Sequence, residues 1–261
     1  MLEKLGIPGI LELTSLEAYE TFCEQTGMGF YELNMNFPFF SSGKLLSLLH
    51  SKKDFSKLYS IHLPDNLDIA EFNTEIRLGN IELIKNLLTA IPKNSLKILN
   101  IHLQKGNCFT LPDKVCFFYE LYEKEYLETL QSSLSELIPL LKEKNVILAF
   151  ENTGICHFSF IQKALACIVK TPHCALTWDI GHDAKSHYRD FKYFYCEHQD
   201  NIAHLHIHDF DGTLDHKELY TGEVDLNKIF DFLRTHDIRG VIETKNLPTL
   251  NASIEKIKCM L

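Results

Sequence analysis

Apolar and polar positions along the chain follow two alternating periods. Short runs of mostly apolar residues recur from end to end, and between them apolar residues return every third or fourth position. The short runs read as buried strands over 29–35, 57–63, 97–103, 146–151, 174–179, 202–208 and 239–243. The longer stretches read as amphipathic helices. The first runs from a Thr14-Ser15 cap through Leu16, Ala18, Tyr19, Phe22 and Cys23 toward Gly27. Others are expected at 44–51, 67–91, 115–144, 158–169, 186–198, 225–235 and 249–259.

Strand and helix in alternation, joined by short connections, imply parallel strands and right-handed crossovers. Seven strands are clear. The segment LGIPGILEL (5–13) holds an eighth, interrupted by two glycines and Pro8. Eight such units close a barrel, whereas seven would leave a smaller barrel or an open sheet. KLYSIHLP (57–64) and KILNIHLQ (97–104) are near copies, as two adjacent β/α units would be. No Pro/Gly/Ser-rich linker or low-complexity tract divides the chain. The resulting expectation is an α/β protein over residues 1–261, a single-domain (β/α)8 TIM barrel.

Six strand runs finish on an ionisable group: His62, His102, Glu151, Asp179, His206 and Glu243. An unpaired buried charge is expensive, so such ends are expected to gather around a shared partner. Strand parity sharpens this. In 203–208 the apolar residues share one face and His204, His206 and His208 the other, so the imidazoles point inward. His204 lies deepest and reads as a hydrogen-bonded interior histidine, while His206 reaches the rim where barrel chemistry is sited. Asp179 shares a face with Thr177, which turns Trp178 toward the helices and into the core. The parity of Glu32 is not fixed by its neighbours.

Glu151, Asp179, His206 and Glu243 end four successive strands. Three carboxylates and one imidazole meeting without arginine repel one another unless a cation neutralises them. The set therefore implies a divalent metal ion. Oxygen-rich ligation with one histidine suits Mn²⁺ or Mg²⁺ and tolerates Zn²⁺ or Co²⁺.

Composition narrows the partners. The chain has 261 residues, 45% apolar and 23% charged, with 26 Lys plus Arg against 35 Asp plus Glu and a net charge of −9. That balance disfavours nucleic acid, which is gripped through Lys and Arg. The eight cysteines form no C-x-x-C pair and mostly lie in apolar stretches, as buried free thiols do. Met1 to Gly9 does not resemble a signal peptide, and no apolar run has the length of a membrane span, so a cytoplasmic protein without membrane contact is expected. A homo-oligomer is compatible with the composition.

The chain resembles the xylose-isomerase-like TIM barrel superfamily, which includes sugar isomerases and epimerases, inosose dehydratases and endonuclease IV. The resemblance rests on FENTG around Glu151, WDIGH with Asp179 and His182, HLHIHDFDGTLDHKELYTGEVD (204–225) and VIETK around Glu243, and extends from about residue 29 onward. It implies that Glu151, Asp179, His206 and Glu243 are the ligands of the shared metal. It implies that His182 contacts substrate oxygen or a further metal. His62 and His102 match strand-end histidines that hold additional zinc ions in the endonuclease branch, and His216 matches a loop histidine of that branch. Asp215 sits next to His216, whereas that branch places its aspartate two residues before the histidine, where this chain has Leu214.

Two function classes follow. In a sugar or sugar-phosphate isomerase or epimerase, Glu151 and Glu243 would move a proton beside a metal-held carbonyl of a small sugar. In a zinc phosphodiesterase of the abasic-site type, His62, His102, Glu151, His216 and the shared ligands would hold two or three zinc ions around an attacking hydroxide. A dehydratase on the same scaffold is a third reading. Lys105 and Lys245, beyond strand ends, are either solvated rim lysines or receivers of a substrate phosphate. The loop Phe37-Pro38-Phe39-Phe40 is either an apolar wall over a sugar or ordinary packing.

Overall fold

In a computed structural model, which describes residues 1–51 and 55–260, eight parallel strands close into a barrel. They are β1 (Leu5–Ile7), β2 (Phe30–Asn34), β3 (Leu58–His62), β4 (Ile98–His102), β7 (Ile147–Glu151), β8 (Cys174–Asp179), β9 (Ile202–Ile207) and β10 (Arg239–Ile242). The weak eighth strand is thus the three-residue β1, which closes the ring by pairing with β2 and β10. Two further strands, β5 (Cys108–Thr110) and β6 (Val115–Phe117), form an antiparallel hairpin outside the barrel.

Local chemistry sets the helix boundaries. Ser15 Oγ accepts from Ala18 N at 3.2 Å to open the helix Leu16–Thr26, and Gly27 ends it in the left-handed region with φ 79°. Asn73 caps the helix Thr74–Ala90, so the helical reading began too early. Leu67 and Ile69 supply apolar spacing but are buried in the connecting loop. Residues 115–117 are strand, and the long helix runs over Glu123–Lys144. The helix expected at 186–198 starts only at Arg189, running through Arg189–Phe191 into the π-turn Lys192–Cys196, and a separate short helix, Ile180–Lys185, precedes it. Left-handed backbone at His187 and Tyr188 breaks the run.

The apolar core lies between strands and helices. Trp178 faces outward from β8 and packs on Tyr195, ring centroids 4.6 Å apart, and on Phe232 at 6.0 Å. Phe40 is wholly buried, and Phe37 stacks on Phe39 at 5.2 Å. The barrel interior is a different medium. Two residues below the strand-end groups, on the same faces, stand Ser60, Asn100, Thr177 and His204, all buried, together with Glu32 of β2. Barrel interiors are ordinarily filled by branched aliphatic residues. Here a polar layer underlies the C-terminal mouth. Among the described residues no helix is long and apolar enough to cross a membrane.

Candidate metal centre

Register carries the strand-end groups to one place. Asp179 pairs in register with His206, His102 with Glu151, and Val241, two before Glu243, with His206. Glu151, Asp179, His206 and Glu243 each offer a ligand atom within 4.8 Å of the others, and all four are buried. His206 Nδ1 lies 3.2 Å from Glu151 Oε2, 3.2 Å from Glu243 Oε2 and 3.9 Å from Asp179 Oδ2. Neither His206 Nδ1 nor Glu243 Oε2 has a hydrogen-bond partner. Unpartnered buried donors and acceptors are rare, and here they face one point. The donor set therefore fits a divalent cation.

Charge tells the same story. Burial pushes the Glu151 and Glu243 carboxyls up, but His206, with His102 near Glu151 and Lys245 near Glu243, holds both well below the usual carboxylate range. Burial would lower the His206 pKa, yet Glu151, Glu32 and Glu243 drive it well above the ordinary histidine value. An imidazolium at His206 and a cation among the carboxylates are alternative ways to neutralise the same charges.

Two further clusters flank this centre and share its ligands. On one side, His62 Nε2 and His102 Nε2 lie 3.5 and 3.6 Å from Glu151 Oε2. His62 Nδ1 sits 2.7 Å from the Leu63 carbonyl, so a proton there donates to that oxygen and Nε2 faces Glu151. Burial lowers the His62 pKa, and Glu151 more than reverses this, bringing it to about 9. For His102 burial prevails and its pKa falls. Asp65 completes a group of three, 3.7 Å from His62 Nδ1 and 3.9 Å from His102 Nε2, with Asn36 Nδ2 donating to it at 2.6 Å.

On the other side, His182 Nδ1 lies 3.2 Å from Asp179 Oδ2 and 3.5 Å from Glu151 Oε1. His216 Nε2 is 3.5 Å from Glu243 Oε1. Burial opposes protonation of His182, but Asp179 and then Glu151 raise its pKa to about 10. Asp215 bridges the two imidazoles, 3.9 Å from His182 Nε2 and 3.2 Å from His216 Nδ1. Its sequence offset of one residue thus does not keep it from this flank. His208 also lies here, but both its nitrogens are engaged. Nε2 donates toward Asp179, 2.9 Å from Oδ1, and Nδ1 accepts from His216 N at 2.8 Å. His208 holds Asp179 in place and offers no free lone pair. It fits only because residue 181 is glycine: a Cβ there would stand 2.0 Å from the His208 ring.

The supporting groups were not evident from strand ends alone. Asn100 Nδ2 donates to Glu151 Oε2. Asn152 Oδ1 accepts from Asp179 N at 2.7 Å, and its Nδ2 donates to Asp179 O at 3.0 Å. Parity could have found Asn100, which lies two residues before His102 on the same inward face. Lys245 Nζ lies 2.8 Å from Glu243 Oε1, so this lysine faces the centre as well as solvent.

Asp209 organises the loop that carries Asp215 and His216. One carboxylate oxygen accepts from Phe210 N (2.9 Å) and Val224 N (3.1 Å), the other from Thr221 N (3.0 Å) and Gly222 N (2.8 Å). Asp209→Asn would turn an amide NH₂ against two of these N–H groups. We expect it to cost about 3 kcal/mol, seen as a melting point lower by roughly 8 °C; an unchanged melting curve would contradict the clamp.

A cavity of about 470 Å³ opens beside the centre, lined by His102, Thr153, Gly154, His182, Lys185, Ser186, Arg189 and Asp215. A second cavity, of about 460 Å³, lies against Trp178 on the outer wall and is lined by none of the metal-facing groups.

Residues 27–257 match the family model of the xylose isomerase-like TIM barrel. An uncharacterized protein of Methanocaldococcus jannaschii is 26% identical over 208 residues, covering 78% of this chain and 77% of its own. Among solved structures, a D-tagatose 3-epimerase-like protein superposes with a TM-score of 0.72 at 20% identity, over 98% of this chain and 96% of its own. An AP endonuclease, family 2, from Brucella melitensis superposes with a TM-score of 0.63 at 15% identity, over 93% and 92%. At such identities these two structures share the fold. Together with the match across most of its length, this makes the chain a member of the xylose isomerase-like TIM barrel family.

Proposed function

We propose that the protein is a metal-dependent isomerase or epimerase of a small sugar or sugar phosphate. The observation that carries this reading is the placement of Glu151 and Glu243. Each lies 3.2 Å from His206 Nδ1, and they reach it from separate strands. A ketose bound against a cation at that point would have a carboxylate on either side. A bound divalent cation, with Mn²⁺ the best match to this donor set, polarises a carbonyl and its neighbouring hydroxyl and acidifies the C–H between them. Glu151, Asp179, His206 and Glu243 would hold it.

The chain's own groups then handle the proton. Both glutamates are held anionic near neutrality, so one accepts the proton from carbon while the other takes a proton from solvent and delivers it to the carbon, the first releasing its own to solvent to close the cycle. Lys245, against Glu243, favours its anionic form and suits it to the base role. His182, part-exposed at the mouth, is placed to donate a hydrogen bond to a substrate oxygen.

A specific observation favours a second reading. His62 and His102 with Asp65, and His182 and His216 with Asp215, offer flanking positions for further ions, as a multi-zinc phosphodiesterase needs. Against it stand the net charge of −9 and the pairing of Lys185 with Asp215 at 2.9 Å.

Metal analysis combined with a ketose panel in D₂O separates them. One Mn²⁺ per chain, with deuterium entering the carbon beside the carbonyl, is the expected result. Two or three zinc ions per chain, with cleavage of abasic DNA and no ketose exchange, would establish the hydrolase instead.

A further inference from the structure

One charged group of the polar layer is Glu32, 2% exposed at the middle of β2. Its two oxygens go to two different histidines of β9. Oε2 accepts from His204 Nε2 at 3.4 Å, and Oε1 lies 3.2 Å from His206 Nε2, an ion-pair contact without hydrogen-bond geometry. Among the described residues these imidazoles are its ion-pair partners. A buried carboxylate paired in this way returns little stability compared with an apolar residue of the same size. Ala149 and Val241 point into the same barrel from other strands, so the interior accepts apolar side chains. The charge at Glu32 therefore calls for another explanation.

His206 supplies one. Its ring stands between two sets of carboxylates, with Nε2 facing down to Glu32 and Nδ1 facing up to Glu151, Glu243 and Asp179. A carboxylate on one nitrogen of a metal-binding imidazole fixes which nitrogen keeps its proton, orients the ring and strengthens the other nitrogen as a donor. We propose that Glu32 is a positioning residue for the metal centre, holding His206 through Nε2 so that Nδ1 is the ligand atom, and thereby setting the affinity for the divalent cation. This rests on the metal-centre reading above. Glu32 sits one pleat below the rim, level with Ser60 of β3. His204 anchors its second oxygen and contributes nothing directly to the centre.

Calorimetric titration of the metal-free chain with Mn²⁺ and with Zn²⁺ tests this, alongside the visible spectrum of bound Co²⁺. Glu32→Gln is expected to weaken binding by about 10–100-fold and to change the Co²⁺ spectrum. Glu32→Asp, which keeps the charge, should recover part of the loss and carries the test if the glutamine variant does not fold. His204→Gln, which strips only the other partner, should leave the spectrum unchanged and cost far less affinity. Equal affinity and an identical spectrum in wild type and Glu32→Gln would overturn the proposal. So would an equal loss in His204→Gln, since that would mark a general effect of the barrel interior. A wild-type chain that takes up no divalent cation would overturn the metal-centre reading and this inference together.

Discussion

Glu243→Gln is expected to lower ketose turnover and solvent deuterium uptake by about 10²–10⁴-fold, the usual contribution of a positioned acid–base group. The amide keeps the size of the side chain and one oxygen able to face a cation, but it takes no proton. Its environment makes the loss specific. Glu243 is 7% exposed, and Lys245 and His206 hold it anionic, a state the neutral amide cannot reproduce. The measurement is the rate of deuterium entry at saturating Mn²⁺ with metal content assayed on the same sample, which separates a lost base from a lost ligand. A full complement of metal with exchange reduced a hundredfold or more is the expected pair. Exchange within about tenfold of wild type would remove Glu243 from proton transfer, since one such group ordinarily contributes at least 10²-fold. The assay should show a fall in kcat with little change in KM, because the interaction removed belongs to the transition state.

Much of this centre was legible because strand ends are legible. A run such as VILAFE announces both a buried strand and its last residue, and the C-terminal ends of parallel barrel strands share one rim. Glu151, Asp179, His206 and Glu243, with the flanking His62 and His102, were reachable in that way, His182 and His216 came from the family resemblance, and the eight converge. What escaped depends on contacts between strands distant in sequence. Glu32 could have faced either side of β2 until the closed barrel put it against β9, 172 residues away. Asp65 and Asp215 lie in loops whose paths are set by Asn36 and by the Asp209 clamp, and no periodicity describes such paths. The helical misreadings have a similar origin. Leu67, Ile69 and Phe72 are spaced like a helix face, but Asn73 starts the helix after them. The hairpin of β5 and β6 is short and largely exposed, so burial left little alternation for the sequence to display.

The pH dependence of metal uptake should be large and should count the histidines involved. Without a bound cation, His206 carries a proton at neutral pH, because the surrounding Glu151, Glu32 and Glu243 outweigh the effect of burial and raise its pKa well above the ordinary value. A cation taking Nδ1 must displace that proton, so apparent affinity rises with pH. Glu151 and Glu243 are held well below the usual carboxylate range and release no proton near neutrality. For a single centre of Glu151, Asp179, His206 and Glu243, one proton leaves per ion bound. Affinity should then climb about tenfold per pH unit, roughly a hundredfold between about pH 6 and about pH 8. An ion held also by His62, with its pKa near 9, or by His182, near 10, must displace their protons too. A flanking site would therefore rise more steeply than tenfold per unit, with more than one proton released in total. Competition against a chelator across this range, with proton release measured calorimetrically in two buffers of different ionisation heat, distinguishes the cases. A slope of one supports the single-metal isomerase, and a steeper slope with a second equivalent of zinc supports the hydrolase. A flat profile would show that His206 is not the group the cation displaces.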